Sequence, residues 1–174
     1  MIPGFPIPAL ISIRPILISG SFETVDERES LWVPAGGWSF VDDAMNARTG
    51  NWLGRVNLVS GLSGEISGSV SLNYSQIPRL LDAAQWAVEF RVFQKAIQSN
   101  NNNSSTRELQ IQNGGSTNVA TVTNQTATYQ EMTLTDVIDV SNSEIRIFGV
   151  SRRSSGTNFS LPAFDDWSLI FTPA

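Results

Sequence analysis

An all-β sandwich or barrel of about nine strands is the fold class that the sequence predicts. Three observations carry this. Short apolar runs recur between turn signals, alternation with period two is strong in several of them, and a helical period is nearly absent. A length of 174 residues suits one domain with a sizeable core.

Taken in order, residues 1–15 read as an extended arm. Pro3, Pro6, Pro8 and Pro15 each fix φ and remove a backbone donor. The arm carries Ile2, Phe5, Ile7 and Leu10, too much apolar surface to leave in water. It is expected to dock, either on its own domain or on a neighbouring subunit. The domain proper is expected over 16–174. A first strand over 16–22 leads into an acidic loop with Asp26, Glu27 and Glu29. Trp32 is placed in a loop ahead of Pro34. Gly36-Gly37 opens a short strand at Trp38–Val41, and a turn over 42–50 precedes a strand over 52–59.

Residues 65–74 give the clearest alternation. Ile66, Gly68, Val70 and Leu72 fall on one face, and Ser67, Ser69, Ser71 and Asn73 on the other. A short helical turn is predicted after Pro78. The long strand over 86–97 sets Trp86, Val88, Phe90 and Val92 against Ala87, Glu89, Arg91 and Phe93. Asn100 to Asn103 mark a loop, and Gly114-Gly115 a hairpin turn between strands over 108–112 and 118–123. Strands over 128–135, 144–150 and 164–172 complete the set.

Composition excludes several chemistries. The chain has no Cys and no His, which removes thiol nucleophiles, Ser-His dyads, soft-metal sites and disulfides. A net charge of -5, with Lys95 the single lysine, lacks the basic footprint of a nucleic-acid binder. No apolar run is long enough to span a bilayer as a helix. Paired acids, Asp42-Asp43, Asp165-Asp166 and Glu89 with Glu131, invite a glycosidase reading. Neighbours on a strand point to opposite faces, however, so Asp42-Asp43 or Asp165-Asp166 cannot both line one site. No enzyme is expected.

In the order of its motifs the chain resembles carbohydrate-binding modules of the galactose-binding-like β-jelly-roll type. Gly20-Ser21-Phe22-Glu23 is similar to their opening strand, and Gly37-Trp38 to the Gly-Trp that follows. Ala47-Arg48-Thr49-Gly50-Asn51-Trp52-Leu53 resembles their small-residue turn. Trp86–Phe93 resembles the central strand, Tyr129–Leu134 a later one, and Asp165-Asp166-Trp167-Ser168-Leu169 the Asp-Asp-Val-x-Leu ending with Trp in place of Val. The resemblance implies a jelly-roll β-sandwich behind the arm. It also implies a structural calcium between the first and last strands, with Glu23 and Asp165 as ligands. A hard cation suits two carboxylates completed by backbone carbonyls; the alternative is that these acids cap strand ends or bind water. Asp166 is expected to face solvent or bond to backbone.

A stand-alone jelly roll with an arm further resembles accessory virion proteins of tailed phages, such as capsid decoration (cement) or tail components. The expectation is a non-enzymatic virion subunit, docked on capsid or tail neighbours through its arm and loops as a homo-oligomer. The alternative is an extracellular carbohydrate-binding module or lectin-like adhesin that binds a glycan. Trp32 and Trp38 are its ligand-binding candidates, since a Trp face stacks on a pyranose. A third class is a domain of a larger secreted protein.

Overall fold

A computed structural model describes residues 13–57, 64–98, 104–155 and 158–174. The arm residues Ile2, Phe5, Ile7 and Leu10 lie outside the described residues. Among those described there are eleven strands: β1 (Ile16–Gly20), β2 (Trp32–Gly36), β3 (Trp38–Asp42), β4 (Trp52–Val56), β5 (Gly64–Leu72), β6 (Trp86–Gln98), β7 (Ser105–Asn113), β8 (Ser116–Asn124), β9 (Gln130–Ile138), β10 (Ser143–Ser155) and β11 (Asn158–Pro173).

All pairings are antiparallel, and they form two layers. The first runs β2–β5–β10–β7–β8. The second runs β9–β6–β11, and beyond β11 it divides, with β1 against one half of β11 and β4–β3 against the other. The layers are joined where β10 turns into β11, through Arg152↔Ser160 and Arg153↔Phe159.

Alternation decides what each strand buries. On β6, Trp86, Val88, Phe90 and Val92 point inward, as their spacing predicts. Val70 and Leu72 of β5 and Ile145 and Ile147 of β10 answer them from the other layer. Trp32 bridges the two layers. Its ring meets Trp167 edge-on at 5.1 Å and stacks on Phe90 at 6.1 Å. A buried aromatic of this kind costs roughly 3–5 kcal/mol when truncated to alanine.

The strand β2 corrects the expectation of a loop around Trp32. Pro34 reads as a strand breaker in sequence, yet β2 is the edge of its layer, bonded on one side to β5 with Pro34 opposite Val70. An edge strand tolerates a residue without a donor. The acidic stretch is also more ordered than a loop. Glu27–Leu31 is a short helical turn, opened by a reciprocal pair of bonds. Glu27 N donates to Thr24 Oγ1 (3.2 Å), and Thr24 N donates to Glu27 Oε2 (3.0 Å). This Thr-x-x-Glu capping box stood in the sequence as Thr24-Val25-Asp26-Glu27.

The outer edge of β9 is closed by amides from the facing hairpin. Asn118 Nδ2 donates to the Thr135 carbonyl (3.0 Å), and Asn113 Nδ2 to that of Val137 (2.8 Å). Unpaired edge carbonyls are thereby kept from templating another chain.

Candidate functional site

The site is positioned by an irregularity in β11. Register along β6 slips between Asp165 and Trp167, so Asp166 is the extra residue of a β-bulge, with φ of 42°. Before the bulge β11 pairs with β4; after it, with β1. Phe22, just past β1, also has positive φ (60°) and is fully buried. Two strained residues thus sit where one neighbour of β11 is exchanged for another, which leaves a break in the hydrogen-bonded ladder.

Glu23 and Asp165 fill that break. Asp165 is fully buried and accepts three backbone N–H groups: Arg48 (2.6 Å) and Thr49 (3.1 Å) on Oδ2, and Asp166 (2.8 Å) on Oδ1. Glu23 Oε1 accepts the N–H groups of Asn51 (2.8 Å) and Trp52 (2.7 Å). The two carboxylates therefore converge on the same short loop, 48–52, and hold it by its amides. Gly50 makes the loop possible, with φ of 63° and no room for a Cβ, which would stand 2.3 Å from the Glu23 carboxylate. Burial pushes the Asp165 carboxyl up to about 6, and its three amide bonds offset only part of that.

A cation between Glu23 and Asp165 is the expectation these contacts bear on. The lone pairs facing the loop already receive N–H donors, the opposite of what a cation needs. Among the described residues no group of three or more acidic side chains gathers into a metal cage. Asp166, expected to face solvent or bond to backbone, instead binds the side chains of Arg48 and Thr49, the two residues whose amides Asp165 holds; the bulge breaks the alternation that would have turned the two carboxylates apart.

Beyond the clasp, the outer face of the β1–β11–β6–β9 layer carries a groove along β6. It consists of two depressions, of 470 and 420 Å³. The first is lined by Ala87, Val137 and Ile170 with Glu89, Thr135 and Thr172. The second has Arg91, Phe93 and Glu131 with Ser19, Ser168 and Asp166. An ion pair divides them: Arg91 Nε donates to Glu89 Oε1 (2.6 Å), and Arg91 Nη1 lies 3.7 Å from Glu131. The Arg48 guanidinium lies over the Phe93 ring, its Cζ 3.7 Å from the centroid. From Ala87 to Phe93 the groove runs about 20 Å at strand rise. Its Arg and Glu side chains are half-exposed planar groups, able to bond two adjacent hydroxyls at once.

Neither tryptophan chosen from the sequence lies in this groove. Trp32 is 0% exposed and Trp38 6%. Trp38 stacks on Phe164 at 5.3 Å. Both point into the core because β2 and β3 turn their apolar face inward, so the ligand-binding assignment of Trp32 and Trp38 is corrected to a packing role. Of the groove residues, Arg91 and Phe93 read in sequence only as alternating strand positions, and Glu131 only as a candidate catalytic acid beside Glu89. Their signal was present: on β6 the outward positions Glu89, Arg91 and Phe93 are charged or aromatic on a strand whose other face is wholly apolar over Trp86–Val92.

No family model matches the chain, and no curated protein matches it. Solved structures do. TmCBM61, solved in complex with β-1,4-galactotriose, superposes with a TM-score of 0.52 at 15% identity, over 80% of this chain and 88% of that one. The CBM22-1 xylan-binding domain of Paenibacillus barcinonensis Xyn10C gives 0.53 at 14% identity, over 90% and 94%. The K2 cleaved adhesin domain of Lys-gingipain gives 0.52 at 12%, over 91% and 98%. At such identities the likeness concerns architecture, and with the strand pairing above it establishes that the chain is an all-β jelly-roll sandwich.

Proposed function

We propose that the protein is a non-catalytic glycan-binding module, and that it holds an extended, uncharged polysaccharide along the groove on β6. The observation that carries this is the Glu89–Arg91–Glu131 row on an open, strand-length face, beside a strip of small apolar side chains. Planar charged groups recognise vicinal hydroxyls through paired hydrogen bonds, and the apolar strip accepts the C–H face of a sugar ring. Acids outnumber bases in the groove, Glu89, Glu131 and Asp166 against Arg48 and Arg91, which disfavours uronic-acid polymers. Of the structural neighbours, one is a complex with β-1,4-galactotriose and another a xylan-binding domain, ligands of the same uncharged class.

The test is isothermal titration against soluble xylan, galactan and polygalacturonate. Binding of a neutral polymer, lost in Arg91→Ala with an unchanged melting temperature, is expected. A folded protein that binds no member of a broad glycan array sinks the reading. The virion reading has no observation behind it among the described residues. Calcium at Glu23 and Asp165 stands as a separate proposal with a direct check. A ligand of the folded state alone raises the melting temperature, so an unchanged melting temperature with chelator removes the ion.

A further inference from the structure

Arg107 of β7 points between the two layers and is 0% exposed. Its Nη2 donates to the carbonyl (3.1 Å) and to Oδ1 (2.6 Å) of Asn124. Its Nε and Nη1 are buried with no partner. No carboxylate of the described residues pairs with it, and burial alone lowers its pKa to about 10. The group therefore keeps its proton at neutral pH, as an uncompensated interior cation. Interior charges persist when something offsets them.

The register shows what surrounds it. Arg107 lies opposite Gly149 on β10. Gly149 lets the other layer approach, since a Cβ there would stand 2.7 Å from Pro162. Pro162 in turn lies opposite Ala96 of β6. Arg107 thus stems from the level of the small residue Ala96, and its bonds to Asn124, which lies opposite Ser105, carry the guanidinium toward the Ser105 level. One inward position along β6 is Gln94, 0% exposed, with neither Nε2 nor Oε1 bonded. One inward position the other way are Ser105 on β7 and Ser160 on β11, both fully buried with unbonded hydroxyls. Ser105 and Ser160 lie at the level of Asn124, to which the guanidinium is bonded, and both hydroxyls can donate a hydrogen bond; Gln94 lies one level beyond Arg107 in the other direction.

We infer that Arg107 anchors an interior site for a small monovalent inorganic anion of about chloride size. Arg107 Nε and Nη1 hold it, and the Ser105 and Ser160 hydroxyls complete its shell. Water would satisfy the hydrogen bonds but leave the charge; an anion answers both.

Two experiments test this. In crystals grown with bromide in place of chloride, an anomalous peak against Arg107 between β6 and β7 is expected. Ordered water or empty density there overturns the site. In solution, denaturation is compared in sodium chloride and sodium gluconate at equal ionic strength. Above the dissociation constant, the folded-to-unfolded ratio should rise by about tenfold per tenfold chloride, and Arg107→Met should lose that dependence. Equal stability in the two salts refutes the proposal. If Arg107→Met does not fold, the wild-type crystal and salt comparison still decide it.

Discussion

Single residues set the clasp at the β11 bulge. Gly50 has a left-handed backbone and its missing side chain leaves space for the Glu23 carboxylate. Gly50→Ala should therefore destabilise the fold by roughly 2–4 kcal/mol through strain and a displaced acceptor. Gly115→Ala, with open space around its Cβ position, should stay within about 0.5 kcal/mol in the same urea titration. Asp165 gives a pH prediction. Its folded pKa is raised from 3.8 to about 6, so the protonated form is favoured by folding. Its contribution is full below pH 3.8 and is lost as pH rises through 6. That displacement corresponds to about 3 kcal/mol. Stability measured from pH 4 to pH 7.5 should fall by up to this amount from the one group, and Asp165→Asn should remove that fall. A slope that survives in Asp165→Asn assigns it elsewhere.

At the scale of elements, β2 and β9 show how edges are managed. β2 is a strand because Trp32 and Leu72 lie side by side under the core and Pro34 faces away from its only partner. Trp32→Ala should cost roughly 3–5 kcal/mol, read as a lower urea midpoint, whereas glycan affinity of the folded fraction should be unchanged. On β9, the double change Asn113→Ala, Asn118→Ala should cost about 1–2 kcal/mol. It should also raise hydrogen exchange along β9 relative to β6, since the two amides tie β9 to the opposite hairpin. Uniform exchange in the variant would show that the edge needs no such closure.

At the scale of the whole molecule, β11 is the strand on which the others depend. It pairs with β1, β4, β6 and β10, and so touches both layers. Removal of residues 158–174 strips the central position from one layer and the hinge from the other. The truncated chain should show no cooperative thermal transition by circular dichroism and should bind a dye for exposed apolar surface. A retained sharp transition would mean that β2–β5–β10–β7–β8 folds alone.

Much of this architecture was legible in the chain. The faces of β5 and β6 follow from period-two spacing, since alternation is a local property of an extended backbone. The capping box at Thr24 and Glu27 stood in the local sequence too, although the stretch reads in sequence as an acidic loop. The pairing of Glu23 with Asp165 comes from the family resemblance, and the directions of Asp165 and Asp166 do not follow from neighbouring positions, because the bulge breaks alternation and both carboxylates reach Arg48 and Thr49. Other features needed the folded molecule. That those carboxylates grip the amides of loop 48–52 depends on where β11 exchanges β4 for β1, a pairing between residues more than a hundred apart. The burial of Trp32 depends on β2 being an edge strand, which no local pattern encodes. The groove on β6 and the uncompensated charge of Arg107 arise only when two sheets are stacked in register. Local chemistry thus determined which residues alternate, cap and bend; long-range packing decided which of them meet.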